Sequence, residues 1–231
     1  LRSGSVLKSY NKTVFKAIGN EEFNPITTNR GVWPPEPGVD ISGFFVDGDS
    51  FNRTANDSMN IFISRQTGVK IKDVTSVNSA SWGWCIDRCD GVDISFSHSS
   101  QIDGLETNAD GFHFVDTVNV IADNMRIVSD SDDAFIIEAI NIDVYNYNVS
   151  NLYAKATKAR GIAIIVDDVI STVSRNISNV KIDAICDDCG QAALNLKGAK
   201  YSGIDIDMIS RNCRFGIGLE PGLSTDAGFI D

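Results

Sequence analysis

Along the chain an apolar residue, any residue and a second apolar residue recur as a triplet: Ile61-Phe62-Ile63, Trp84-Cys85-Ile86, Phe112-His113-Phe114, Phe135-Ile136-Ile137, Ile162-Ala163-Ile164, Leu194-Asn195-Leu196 and Ile217-Gly218-Leu219. Successive triplets are 23, 28, 23, 27, 32 and 23 residues apart. A fixed motif on a varying step predicts short strands on successive coils of a solenoid, with insertions of different length between them. A second feature keeps the same phase. Gly or Asn precedes another strand at Gly38-Val39-Asp40-Ile41, Gly68-Val69-Lys70-Ile71, Gly91-Val92-Asp93-Ile94, Asn119-Val120, Asn141-Ile142-Asp143-Val144, Asn179-Val180-Lys181-Ile182 and Gly203-Ile204-Asp205-Ile206. These two residues take positive φ most readily, so each coil is expected to turn a left-handed corner there.

The gaps between strands are rich in Asn, Asp, Ser and Gly and lack the amphipathic stretches of a βαβ protein. A sandwich would show hairpin turns without a coil-length repeat, and a leucine-rich repeat would show its leucine framework. The pattern therefore predicts an all-β chain, a right-handed parallel β-helix of about seven coils spanning 38–231. Residues 1–37 are expected to be an irregular segment or a partial coil. Val14-Phe15-Lys16-Ala17-Ile18 is a candidate strand there, and Trp33-Pro34-Pro35-Glu36-Pro37 is expected outside any element. The start at Leu1 and the strand-like end at Gly228-Phe229-Ile230-Asp231 suggest a piece of a longer chain.

A formal charge of −11 and the absence of any Lys/Arg cluster argue against a nucleic-acid partner. No apolar run reaches membrane-spanning length, so no membrane partner is expected. Five cysteines leave at least one unpaired. Cys85-x3-Cys89 and Cys186-x2-Cys189 fall several coils apart, too far for one tetrahedral ion, which leaves a local disulfide or plain buried thiols.

The chemistry-bearing stretch is Asn108-Ala109-Asp110-Gly111-Phe112-His113-Phe114, followed one coil later by Ser131-Asp132-Asp133-Ala134-Phe135-Ile136-Ile137. Stacking places Asp110 and the Asp132-Asp133 pair about 4.8 Å apart along the axis. Asp also caps turns by accepting backbone N–H bonds. Three converging carboxylates do something further, because mutual repulsion raises one of their pKa values, as acid catalysis requires. Asp130-Ser131-Asp132-Asp133 lacks the Gly and distal Glu of a calcium loop. His113 points outward on the face of the acids. Arg160 and Lys197 continue the line over the next two coils, Trp82 is a candidate sugar platform, and Glu138 is a spare acid just past its strand.

Together these motifs resemble the polygalacturonase-type glycoside hydrolases, pectate-lyase-like right-handed β-helices with an N-T-D-G motif, a D-D pair one coil on, then G-H-G and R-I-K. The resemblance implies that Asp132 is the general acid and that Asp110 and Asp133 activate water. Lys158-Ala159-Arg160-Gly161 stands where the family has its His, and Asn195-Leu196-Lys197 stands at R-I-K, keeping the Lys without the Arg. By position Arg160, Asn195 and Lys197 join His113, Trp82 and Glu138 as expected substrate contacts. The chain also resembles bacteriophage tailspike and depolymerase β-helices, whose coils carry comparable turns.

The resemblances imply a polysaccharide hydrolase that acts on an acidic or capsular glycan with inversion at the anomeric carbon, located outside the cell or on a virion tail. No cofactor and no metal are expected for it. One alternative is a polysaccharide lyase on the same scaffold, with Arg160 or Lys197 as base and calcium held by the acids. The other is a glycan-binding tail protein or adhesin that cleaves nothing. A bare solenoid end is an unpaired sheet edge, so flanking sequence or a homotrimer is expected to cover it.

Overall fold

The computed structural model describes residues 1, 5–16, 26–28, 36–49, 59–101, 109–166, 175–198 and 200–220. Within them every pairing between strands is parallel, and the chain winds into a right-handed β-helix of about six turns. No helix among the described residues is long and apolar enough to cross a membrane.

One eight-stranded sheet carries every triplet in register: Ile26–Thr27, Ile61–Ser64, Trp84–Asp87, Phe112–Val115, Phe135–Ala139, Ile162–Val166, Ala192–Lys197 and Phe215–Glu220. The first and third residues of each triplet from Ile61 to Leu196 are buried in the interior, because side chains alternate along a strand, whereas Ile217 and Leu219 of the last triplet are exposed. Trp84 thus stacks on Phe112 with ring centroids 4.3 Å apart, and both are fully buried. Isoleucines, valines and alanines make up most of the rest of the interior, with Phe114, Phe135 and Tyr147 among them. The other faces of the coil form a second sheet. Early coils divide it into separate strands such as Val118–Asp123 and Arg126–Ser129, whereas Val144–Ala156 runs through both faces and pairs with each.

The repeated corner exists, with two changes. Gly68, Gly91, Asn119, Asn146, Asn179 and Gly203 all have positive φ. Asn146 takes the place expected for Asn141, since Val120 pairs with Tyr147 and Tyr147 with Val180. Gly38 keeps the register, Asp40 pairing with Lys70, but its φ is not in the left-handed range. The asparagine corners are linked along the axis. Asn179 Nδ2 donates to Asn146 Oδ1 at 2.6 Å, Asn146 Nδ2 to Asn119 Oδ1 at 2.7 Å, and Asn119 Nδ2 to Asp90 Oδ1 at 2.6 Å.

Near the N-terminus, Val6–Lys16 is a strand paired with Asp40–Asp47, longer and earlier than the candidate at Val14. Glu36–Pro37 make a two-residue pairing with Gln66–Thr67, where an element was not expected. Glu36–Pro37 stands last on the pairing path of its sheet, and such an edge tolerates a proline that cannot donate. All five cysteines are free, and Cys85, Cys89, Cys186 and Cys189 are buried. Burial pushes Cys89 and Cys186 up to about 12, so of the two readings the structure selects plain buried thiols. Asn108, Trp33 and the C-terminal stretch 221–231 lie outside the described residues.

Candidate active site

Just before each strand of the eight-stranded sheet the coils remain in register. Gly83 N–H donates to the Asp110 carbonyl at 2.9 Å, Gly111 N–H to that of Asp133 at 3.0 Å, and Ala134 N–H to that of Arg160 at 3.0 Å. Trp82, Asp110, Asp133 and Arg160 therefore occupy one position on four successive coils, and Asp132 lies one residue earlier. The small residues that follow them allow this close stacking. A Cβ on Gly111 would stand 2.2 Å from Ile127 Cγ2 and 2.6 Å from the Ala134 carbonyl oxygen.

Two serines that sequence reasoning passed over tie the acidic turns together. Ser129 Oγ and Ser131 Oγ each donate to the Ala109 carbonyl at 3.1 Å, and Ser129 Oγ accepts the Asp132 N–H at 3.2 Å. The turn carrying Asp132 is thereby fixed to the turn carrying Asp110. Their sequence signal was the alternation Ser129-Asp130-Ser131-Asp132, since hydroxyls beside carboxylates at a strand end commonly bond local backbone.

One oxygen from each of Asp110, Asp132 and Asp133 lies within 4.8 Å of the other two. Asp110 and Asp133 are buried and Asp132 is half-buried. Loss of hydration, followed by the charges of Asp110 and Asp133, pushes the Asp132 carboxyl up to about 7 against the opposing pull of Arg160. The repulsion expected from sequence is present, but burial is the larger cause. Burial also raises Asp133, even though Arg160 grips it through two donors, its backbone N–H and its Nε, both 2.8 Å from Oδ1. A divalent cation could bridge carboxylates at this spacing. The Arg160 guanidinium already supplies a positive charge there.

His113 is not open to solvent, although its position is outward. Its ring bridges two coils, with Nδ1 3.0 Å from Asp110 Oδ2 and Nε2 2.8 Å from Glu138 Oε2. Burial alone pushes the imidazole down, but the hydrogen bonds and charges of the two carboxylates outweigh it and hold it up at about 9. Trp82 lies against this ring at 4.3 Å between centroids, tilted by 48°. Trp82 and Glu138 also line a hollow of about 370 Å³ with Phe62, Arg65, Arg88 and Asp87.

The remaining expected contacts lie further along the axis. Buried Asn195 donates to Glu220 Oε1 at 2.9 Å, and Glu220 stands 3.9 Å from Arg160 Nη1, a partner absent from the sequence-based set. Lys197 is in the outward row of Glu138 and Ile165, two coils past Glu138 and roughly 10 Å away along the axis, so it is not part of the carboxylate cluster.

The fold and site define a right-handed parallel β-helix bearing a carboxylate cluster at the mouth of one sheet. No family model and no curated protein matches the chain. Among solved structures it is similar to the A-module of a mannuronan C-5 epimerase from Azotobacter vinelandii, at 13% identity over 97% of this chain and 84% of that one, with a TM-score of 0.40. It is also similar to the Streptococcus pneumoniae surface protein and adhesin PfbA, at 10% identity over 96% and 89% of the two chains, with a TM-score of 0.23. Neither likeness is close enough to assign a role to any residue.

Proposed function

We propose that the protein is a glycoside hydrolase that cleaves an acidic or capsular polysaccharide, with Asp132 as general acid. The observation that carries this reading is the half-buried Asp132 carboxyl, held near 7 within 4.8 Å of two other carboxylates. Such a group keeps its proton in mildly acidic solution and still reaches the surface. It can therefore protonate the glycosidic oxygen as the bond to the anomeric carbon breaks. Asp110 and Asp133 activate the attacking water, one of them accepting its proton as the water oxygen bonds to the anomeric carbon.

The stereochemical expectation finds no support in the carboxyl spacing. Inversion commonly accompanies carboxyl groups about 6.5–9.5 Å apart, which leaves room for water between them. These side chains converge rather than splay. Inversion now rests on the polygalacturonase resemblance alone, and proton NMR of the first-formed anomer decides it. An extracellular or virion-tail location and a homotrimer belong to the same proposal. Light scattering of the full-length protein reads the oligomeric state.

The deciding assay screens the full-length protein against capsular, pectic and marine polysaccharides for new reducing ends. The Asp132→Asn variant should lose turnover while retaining its fold and glycan binding. Full activity in that variant overturns the assignment. An unsaturated product absorbing near the ultraviolet edge would indicate a lyase, and retention of glycan without cleavage would indicate a binding protein.

A further inference from the structure

His113 was expected to contact substrate, yet it is buried beneath the site with both ring nitrogens engaged. A neutral imidazole has one N–H and can donate only once, so donating to two carboxylates requires the cation. The bond to Asp110 uses Oδ2 alone. Asp110 Oδ1 is buried and has no hydrogen-bond partner among the described residues. An unpaired buried carboxylate oxygen costs on the order of 1–3 kcal/mol, more when charged, so its setting demands an explanation.

We propose that His113 is a positioning residue of the hydrolytic site: clamped as a double donor between Asp110 and Glu138, it fixes Asp110 so that Oδ1 is the oxygen that meets the reacting water. This rests on the hydrolase reading. It assigns Glu138 to anchoring the imidazole rather than to proton transfer with substrate. Trp82 lies against the ring, and the buried imidazole leaves little room for water to compete for the two bonds.

The surroundings leave His113 no other charged partner on the adjoining strands. On Trp84–Asp87 its register partner is Cys85, whose thiol burial and nearby carboxylates keep protonated. On Phe135–Ala139 its register partner is the apolar Ile136, with Glu138 two residues on. Asp87 lies across from Val115, as Glu138 does on the other side, but its oxygens are taken by Ser64 Oγ at 2.7 Å and Arg88 Nε at 2.9 Å. Arg65 and Arg88 line the hollow with Glu138 and follow the C-terminal ends of their strands, whereas Asp110 precedes the strand that carries His113.

The test has one arm that needs no substrate. The chain contains two histidines, His98 and His113, so ¹⁵N-resolved NMR of the full chain, assigned with a His98→Gln variant, follows each ring. His113 should keep both N–H protons at pH 8 and should lose one at least one pH unit lower in Glu138→Gln. A neutral His113 at pH 7 overturns the proposal. In the second arm, His113→Gln should lower kcat at least tenfold, leave KM within about threefold, and displace the acidic limb of the kcat/KM profile upward by about one pH unit. A residue that only supports the fold would lower the urea midpoint without moving that limb, and this outcome also overturns the proposal. If His113→Gln does not fold, the wild-type and Glu138→Gln spectra decide. If no glycan is turned over, the hydrolase reading fails while the clamp itself is still judged by the first arm.

Discussion

Arg160 holds Asp133 by two donors that converge on a single oxygen, the backbone N–H and the side-chain Nε, each at 2.8 Å. Asp133 is almost wholly buried and the Arg160 side chain is 19% exposed. Arg160→Gln should leave a buried carboxylate without its cation. The expected loss is about 2–3 kcal/mol, below the roughly 3–5 of a fully buried pair because the arginine is partly wet. Since burial already raises Asp133, the loss should be larger at pH 8, where the carboxyl must ionise, than at pH 5. Urea midpoints at the two pH values check both statements.

Stability should fall as pH rises from about 5 to about 9.5. His113, raised from 6.5 to about 9, contributes stability that is fully present below 6.5 and lost as pH passes 9. The shift sets a limit of about 3 kcal/mol on that contribution. Asp132, raised from 3.8 to about 7, acts with the same sign over a lower window, present below 3.8 and lost through 7. Urea unfolding across the range should show His113→Gln flattening the upper part and Asp132→Asn the lower.

Gly111→Ala should cost about 2–3 kcal/mol, because the added carbon overlaps both Ile127 and the Ala134 carbonyl oxygen. The overlap lies beside Asp110, so cleavage activity should fall more than stability at a temperature where the variant remains folded. Equal activity per folded molecule would show that the carboxylate tolerates displacement.

With five free cysteines, a non-reducing gel should show the same mobility as a reducing one. Cys213 is the one cysteine not fully buried, so a thiol reagent in native buffer should label it first. The other four should react only on unfolding, when burial no longer suppresses the thiolate. Two or more fast-reacting thiols in the native state would contradict the packing.

The coil repeat was legible because the interior demands it: every triplet from Ile61 to Leu196 buries its first and third residues in the core, and a slip of one residue would turn Phe112 and Phe114 outward. Asn146 was missed because Asn141, also followed by an alternating stretch, offers the same local pattern five residues earlier. Only the pairing of Val120 with Tyr147 selects between them. Asp110, Asp132 and Asp133 converge as the spacing implied, since coil stacking fixes axial distance. His113 was read as outward, but outward on a sheet is not the same as exposed; Glu138 was read as just past its strand, whereas it lies within Phe135–Ala139. The pairing of His113 with Asp110 and Glu138 depends on side-chain reach across a strand, which periodicity does not encode. Glu220, three coils beyond Asp133, enters through Asn195, two coils beyond, and Arg160, one coil beyond.

The row of asparagine corners has a direction. Each amide donates toward the coil before it, so the three amide dipoles add head to tail with their positive ends pointing at Asp90. Asp90 can only accept while ionised, whereas an amide can both give and take. Its charge thus polarises the row, and each aligned amide strengthens the next. Gly203 and Gly91 have no side chain with which to extend the row, which isolates it at both ends. With a neutral Asn at position 90, nothing would distinguish the two senses, and all three amides could turn over together. A single carboxylate at one end therefore sets the orientation of a polar wire spanning four coils.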